Sequence, residues 1–465
     1  MGHRTTNGLL GRKYTTFVTT CLATATTSPA QPYFTRHDIS LAADRAYAVL
    51  AADLDGDGDV DALSASYDDD SIRWYENDGT SAPHFTSHVI SAVADGAYSV
   101  FVADVDGDGD ADVLSASALD NTVRWYENGG EALPSFVPHV ITATLEFPTD
   151  VAAADLDRDG DLDVLSASYT NYGVEWYEND GATPPSFTRR GISLPTDGAY
   201  SIVVADIDGD GDADVLASVN GTVCWYENNG HVPPAFVAHT VATDSARDVF
   251  AADLDGDHDI DLVAAMGYID RVRWFENDGL SPPNFTTRTV DPLVDGARSV
   301  TAVDIDNDGD VDVLSAGQFD NAIRWHENNG EIPPAFTTNF ISGTANRPWS
   351  VFAADCDGDG DADVLTASSE NNAIRWYQNH SEGECEADLT TQGAGSSDAG
   401  WGVPDGFVTA SDINYYVNDW VVGSSAADFT TQGAGLGDPD YGQPDGLVTA
   451  ADINYYVNSW VAGCP

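Results

Sequence analysis

An all-β fold, a seven-bladed β-propeller of four-stranded blades, is predicted by three markers that recur in step along the sequence. An aspartate-rich loop begins at Asp53, Asp104, Asp155, Asp206, Asp253, Asp304 and Asp355. The motif RWYEN, in its commonest form, follows each loop through Trp74, Trp125, Trp176, Trp225, Trp274, Trp325 and Trp376. The third marker is FTSHVI at 85–90, with related copies starting at Phe34, Phe136, Phe187, Phe236, Phe285 and Phe336. Loop starts lie 51 residues apart, except for 47 after Asp206. Four short strands repeated with a period of about fifty are the mark of a propeller blade.

One unit shows the four strands. YSVFVAD (98–104) runs into the acidic loop, ADVLSAS (111–117) leaves it, and TVRWYEN (122–128) follows. A Gly/Pro turn, GGEALPS, then leads to FVPHVI (136–141). These runs are rich in Val, Ile, Phe and Tyr, are bounded by turn residues and carry no helical period. The first marker, FTRHDI at 34–39, is a fourth strand with no blade before it, and the last blade stops at a third strand, IRWYQN (374–379). The N-terminal strand can therefore complete the last blade and remove two open sheet edges. The expected organisation is a leader over 1–30, a propeller over 31–382 and a small α-helical domain over 383–465.

Composition narrows the function classes. The 465 residues hold 18 Lys and Arg against 77 Asp and Glu, a net charge of -59, so binding to nucleic acid or an anionic membrane through the general field is excluded. An aromatic content of 10% argues for a folded acidic protein over a disordered one. No run reaches the roughly eighteen apolar residues of a transmembrane helix. The N-terminus, with Arg4, Arg12 and Lys13 before TTFVTTCLATATTSPA, has the order of a secretory signal, although its middle is Thr-rich. A secreted or cell-surface monomer is the expectation. Of Cys21, Cys224, Cys356, Cys385 and Cys464, the last two bracket the C-terminal segment and suit one disulfide in an oxidising compartment.

The acidic loops read D-x-D-x-D-G-x-x-D. The first carries Asp53, Asp55, Asp57, Asp59 and Asp61; the second Asp104, Asp106, Asp108, Asp110 and Asp112. The third and fourth carry Asp155, Asp157, Asp159, Asp161, Asp163 and Asp206, Asp208, Asp210, Asp212, Asp214. The fifth has Asp253, Asp255, Asp257, Asp259 and Asp261, and the sixth Asp304, Asp306, Asp308, Asp310 and Asp312. The seventh has Asp355, Asp357, Asp359, Asp361 and Asp363. Carboxylates at positions 1, 3, 5 and 9 with an inward carbonyl at 7 supply the oxygen shell that calcium takes, with no sulfur or nitrogen for zinc or copper. Magnesium fits less well because it keeps its waters. Arg158 and Asn307 replace glycine at position 4, and His258 replaces the turn glycine, which makes the fifth site the weakest expected.

These loops and their setting resemble the FG-GAP/VCBS repeats of calcium-binding propellers, the type found in integrin α-subunits and some fungal lectins. The resemblance implies a structural calcium in each blade, tying down the loop between its first two strands.

The tail carries its own repeat of 40 residues, beginning at Asp388 and Asp428. Each copy has D-G-x-V-T-x-x-D before a short helical pattern, Ile413, Tyr416, Val417 and Trp420 in one and Ile453, Tyr456, Val457 and Trp460 in the other. Asp405, Thr409 and Asp412, and Asp445, Thr449 and Asp452, match EF-hand positions 5, 9 and 12. The module resembles a dockerin of the variant kind that ends some planctomycete-type secreted proteins in Gly-Cys. That resemblance implies up to two further calcium sites, with Asp388, Thr390, Asp428 and Thr430 as their first ligands, and a cohesin-like partner. Three departures stand against it: fourteen residues between Thr390 and Asp405 where a dockerin loop has one, Thr at the third position, and Asp at the twelfth.

Strand order puts the acidic loops and the NDGTSAP-type turns on one face, and the 2–3 and 4–1 connections on the other. The second face varies from blade to blade and carries Tyr67, Phe147, Tyr169, Tyr172, Tyr268, Phe319 and Trp349. Aromatics beside Asp and Asn suit sugar rings. A non-catalytic carbohydrate-binding or adhesion protein is the reading; the alternatives are a polysaccharide lyase or hydrolase on a propeller, or a protein-binding scaffold. No GxSxG, HExxH or P-loop is present. The recurrent His37, His88, His139 and His239 and the RWYEN tryptophans are expected to be architectural. Arg73, Arg124, Arg273, Arg324 and Arg375 lie on the opposite sheet face from the motif's glutamates and could pair with them between adjacent blades, in a ladder left incomplete by Glu175 and Cys224.

Overall fold

The computed structural model describes residues 32–170, 173–192 and 198–380. The described residues form 28 strands and no helix, in seven antiparallel sheets of four strands. In blade 1 the strands are Ala46–Ala52, Asp61–Ser66, Ser71–Asn77 and Phe85–Ser91, paired in that order. First strands of successive blades pack on one another around the whole ring, blade 7 against blade 1 included. They therefore line the axis. The ring closes as the markers predict: Tyr33–Ser40 pairs with Ala373–His380, Phe34 opposite Asn379, as the fourth strand of blade 7. The candidate leader, the dockerin-like tail with its Cys385 and Cys464, and Tyr172 lie outside the described residues.

Second strands such as Asp61–Ser66 are buried along their whole length, because both sheet faces lie against neighbouring blades. The motif tryptophans fill the space between blades. Trp176 packs with Val215 and Tyr226 of blade 4, and Trp376 with Tyr75 of blade 1. All seven are at most 2% exposed, so their role is architectural. The recurrent histidines serve them: His88, His139 and His239 stack on the tryptophan of their own blade at 4.4–4.6 Å, and His37 on Trp376 at 4.4 Å.

The expected Arg–Glu ladder between blades does not form. Glu76, Glu127 and Glu227 take the histidine of their own outer strand at 2.7–2.8 Å, and Glu276 takes Arg288 at 2.6 Å. Arg124 pairs with Asp120 and Arg375 with Asp38, again within a blade. Register explains this. The fourth-strand residue opposite the tryptophan (His88 against Trp74, Asn339 against Trp325) shares a sheet face with the glutamate two places on, so the glutamate meets a partner on its own sheet before it reaches the next blade.

Candidate functional site

Each acidic loop joins the first strand of its blade to the second. Gly56 and Gly58 turn the first loop with φ of 75° and 102°, a region closed to most side chains. Carboxylates then cap the loop's own backbone: Asp53 accepts from Gly58 N at 3.1 Å, Asp55 from Asp57 N at 3.2 Å and Asp57 from Asp59 N at 3.0 Å. Positions 1, 3 and 5 converge as a result. Oxygens of Asp53, Asp55 and Asp57 lie within 4.8 Å of one another, as do those of Asp104, Asp106 and Asp108, and the trios beginning at Asp155 and Asp206. In the fifth loop the cluster is Asp253, Asp255 and Asp261, so position 9 faces the same hollow.

Position 9 is also a fold anchor. Asp61 accepts Leu54 N at 3.1 Å and Asn77 N at 2.8 Å. Asp112, Asp163, Asp214, Asp261, Asp312 and Asp363 each repeat both bonds. Position 7 turns its carboxylate elsewhere, against the glycine of the strand 3–4 turn. A Cβ on Gly79 would stand 1.9 Å from Asp59 Oδ2, and Asp110, Asp161, Asp212, Asp259 and Asp310 fill the same place in their blades. Its carbonyl, not its side chain, is what this position can offer a cation.

The loops bear the electrostatic mark of crowded acids. Burial first, then neighbouring aspartates, lifts Asp55, Asp106 and Asp157 above the usual carboxylate range, Asp255 and Asp306 to about 6 and Asp359 to about 7. Burial carries Asp61 and Asp112 to about 6, Asp163, Asp261 and Asp312 to about 7, and Asp363 to about 8. Oδ1 of Asp104, Asp155, Asp206 and Asp304 is closed off from solvent and accepts no hydrogen bond. Oxygen donors alone, converging and partly orphaned, fit a hard divalent cation.

One link ties every loop to its neighbour, and two loops have a second. Asn77 of the RWYEN motif donates Nδ2 to Val60 O at 2.9 Å and to Cys356 O of blade 7 at 2.7 Å. Asn128, Asn179, Asn228, Asn277, Asn328 and Asn379 make the same bond to the loop of the preceding blade. The position-4 exceptions add a second link. Arg158 (φ 63°) reaches Asp212 of the next loop at 2.5 Å, and Asn307 (φ 57°) reaches Asp361 at 2.6 Å. His258 sits at φ 77°, where the other loops have glycine at 89–102°.

The opposite face carries a pocket on the axis. In six blades the second residue of the first strand is the extra residue of a β-bulge, for example Tyr47 between Ala46↔Ser66 and Ala48↔Ala65. A bulge re-aims its side chain. Here it aims Tyr47, Tyr98, Thr149, Tyr200, Arg298 and Trp349 at the axis, and Arg247 takes the seventh place at the start of blade 5. The residues after the bulges, Ala48, Ser99, Asp150, Ser201, Ser299 and Ser350, together with Asp248 of blade 5, form a floor beneath a hollow of about 120 Å³. Tyr47 stacks on Trp349 at 4.0 Å and meets Tyr98 at 5.1 Å and Tyr67 at 4.9 Å.

Two further hollows adjoin it. One of about 180 Å³ shares Tyr98, Arg247, Arg298 and Trp349 and adds Tyr268 and Phe319. The other, about 220 Å³, lies among Tyr169, Tyr200, Asn220, Gly221, Ser245 and Tyr268. Among the aromatics singled out from the sequence, Trp349 is thus in the pocket and Tyr169, Tyr268 and Phe319 line its extensions. Tyr67 and Phe147 support it from behind, Phe147 against Tyr98 at 6.1 Å and Tyr169 at 6.0 Å. Sequence reasoning missed Tyr47, Tyr98, Tyr200, Arg247 and Arg298, which it had counted into strands.

The sequence profile of an FG-GAP-like repeat matches residues 53–115, 104–166, 155–217, 253–315 and 304–366, more than half of the chain. The chain belongs to the FG-GAP-like repeat family. Each repeat of this FG-GAP-like protein runs from one acidic loop through the second strand of the next blade, so repeat and blade are out of step. No curated protein compared with it matches in sequence. Solved structures similar to it include BBS1N in complex with ARL6DN, from a mercury-soaked crystal, at 10% identity over 75% of this chain and 95% of that one, TM-score 0.50. The lead-soaked crystal of the same complex gives 10% identity, 75% and 96% coverage and a TM-score of 0.49. An Agrocybe aegerita lectin, described as recognising non-reducing terminal N-acetylglucosamine, is 19% identical over 64% of this chain and 81% of that one, TM-score 0.45. These likenesses concern the fold alone.

Proposed function

We propose that this FG-GAP-like propeller is a secreted, non-catalytic binding protein that holds calcium in its acidic loops and takes a carbohydrate at the axial pocket. One observation carries the reading: six bulges and the start of blade 5 aim three tyrosines, a threonine, a tryptophan and two arginines at one point above a floor of serines and two aspartates. Flat aromatic faces stack on the C–H faces of a sugar ring, and serine and threonine hydroxyls orient its own hydroxyls. Carboxylates at positions 1, 3, 5 and 9, with the carbonyl at 7, would hold the calcium, which supplies charge neutralisation and fixes each loop. The seven loops do not touch the sugar; they lie on the far face. The tail, by its likeness to a dockerin, serves attachment to a cohesin-like or surface partner.

A polysaccharide lyase or hydrolase is the second reading, favoured by one feature, the raised Asp150 carboxyl in the pocket floor. Both of its oxygens are engaged, by Ser99 Oγ at 2.7 Å, Val151 N at 3.0 Å and Ile202 N at 2.9 Å, which suits a positioning acid better than a general base. A protein ligand is the third reading. The test is a glycan array with the full chain in calcium and then in chelator, followed by incubation with any retained polymer. Calcium-dependent retention without shortening supports the proposal. Shortening moves it to the enzyme reading, and silence from a folded chain moves it to a protein partner.

A further inference from the structure

Arg247 and Arg298 occupy adjacent places in the axial ring. Their blades hold two other motif arginines that are ion-paired, Arg273 with Asp244, and Arg324 with Asp320 and with Asp291 at 3.9 Å. Among the described residues neither Arg247 nor Arg298 has such a partner, in a chain with 77 acidic residues against 18 basic ones. Each is held by neutral groups instead. The Arg298 guanidinium lies 3.9 Å from the centre of the Trp349 ring and donates to Tyr98 Oη at 2.6 Å. The Arg247 guanidinium sits 4.5 Å from the Tyr200 ring and 4.2 Å from the Tyr268 ring, and donates to Tyr268 Oη.

The acids nearest to hand are turned away. Asp248 accepts from Ser201 Oγ at 2.7 Å, Val249 N at 3.0 Å and Val300 N at 3.0 Å, as Asp150 does from its own three donors. Burial also holds the Asp150 carboxyl at about 7, which dilutes its negative charge at neutral pH, and raises that of Asp248. Two positively charged forks, pinned flat by aromatic faces, therefore look into the hollow without a counter-charge. A guanidinium fixed in this way keeps its remaining N–H groups ready for a planar, two-oxygen acceptor.

We infer that the axial pocket takes an acidic sugar residue, its carboxylate bound by Arg247 and Arg298 and its ring set against Trp349 and Tyr98. The inference rests on the carbohydrate reading above and names the class of sugar. The ligand is a residue of a chain, because the face is cut away on one side only. Asp206 to Trp225 spans 19 residues where every other blade has 21, and Phe236 to Asp253 spans 17 where the others have 19. All four missing residues thus come from connections on the pocket's face. The hollow of about 220 Å³ over Asn220, Gly221 and Ser245 lies where they are missing, and it shares Tyr200 with the axial pocket. A saccharide seated on the axis has a way out over blade 4.

Titration calorimetry on the full chain in calcium tests this with three probes: glucuronate-containing oligosaccharides, the same oligomers after carboxyl reduction, and sulfated oligosaccharides without carboxyl groups. The carboxylated oligomers should bind, and carboxyl reduction should weaken them about tenfold or more. Arg247→Ala and Arg298→Ala should each give a similar loss, and Arg298→Lys an intermediate one, since lysine lacks the fork. Should Arg298→Ala melt early, Arg298→Gln keeps most of the stem and a polar head while removing the charge and the fork. Equal binding of reduced and acidic oligomers, with the arginine variants unaffected, overturns the inference and leaves the carbohydrate reading standing. Preference for the sulfated probe overturns the carboxylate. Failure of every saccharide, whatever its charge, overturns both.

Discussion

The seven acidic loops on one face of the ring are near-copies, whereas the axial ring on the other face runs Tyr47, Tyr98, Thr149, Tyr200, Arg247, Arg298, Trp349. Both sets are built on the first strand of each blade, the acidic loop at its end and, in every blade but the fifth, a bulge near its start. Repetition suits the acidic face, because each blade needs the same anchor: an aspartate at position 9 gripping two backbone N–H groups and an asparagine clasping the loop before it. A single ligand on the axis meets all seven blades at once, and seven identical residues there would present it with a symmetric wall. Asymmetry is what lets the pocket bind one orientation. Uniform positions hold the ring; varied positions at the same radius select the guest.

The largest test of that division is metal removal. If the acidic face is the ring's anchor, stripping calcium should lower the melting temperature by about 10 °C or more, as several sites lose their mass-action stabilisation together. The loss should depend on pH. Asp163, Asp261 and Asp312 at about 7 and Asp363 at about 8 all lie above the unfolded value. The metal-free ring therefore binds more protons than the unfolded chain, is most stable below about pH 4–5 and weakens as pH rises towards about 8. Melts at pH 5 and pH 8 of dialysed protein should show that fall, with the gap to the calcium form widest at pH 8. A gap that shrank with rising pH would count against the loops as the cause.

Asn328→Ala sharpens the comparison on the same face. It leaves Leu254 O and Val311 O without their donor and should cost about 2–4 kcal/mol by chemical denaturation, with ligand affinity unchanged. Trp349→Ala, on the pocket face, should do the reverse: about tenfold weaker saccharide binding with a shift in stability of about 1 kcal/mol. A variant that lost both in equal measure would erase the division between faces. The smallest effect belongs to His258→Gly, which relieves a non-glycine residue at φ 77° and should add about 1 kcal/mol and tighten the fifth loop's calcium. Site-resolved occupancy showing the fifth loop already as full as the others would remove the reason for that gain.

Blade number, strand order, ring closure and the placing of the two faces were legible because each rests on a repeat: Asp53 and its six successors, Trp74 and its six, and the orphan strand at Phe34. The buried tryptophans followed from their place on a central strand. The pocket was half legible. Trp349, Tyr268, Phe319 and Tyr169 stood out as aromatics in variable connections, but Tyr47, Tyr98 and Tyr200 sit inside the apolar first strand, where period-two reading assigns Tyr98 to one face and Ser99 to the other. The bulge puts both towards the axis, and nothing in residue type marks a bulge without glycine. Arg298 was hidden for the same reason, and Arg247 because it stands just ahead of its blade's first strand. The glutamates of RWYEN were misassigned to neighbouring blades because their partners, His88 and Arg288 among them, lie on another strand of their own sheet.

The most direct test of the central claim, that the seven loops are cation sites and the pocket is not, is a count of calcium bound per chain by equilibrium dialysis and elemental analysis. Seven ions on the ring, and up to two more on the tail, are predicted from the loops. Full chain in which one ion or none is bound at millimolar calcium would contradict the account, and the acidic face would then need another reason to repeat.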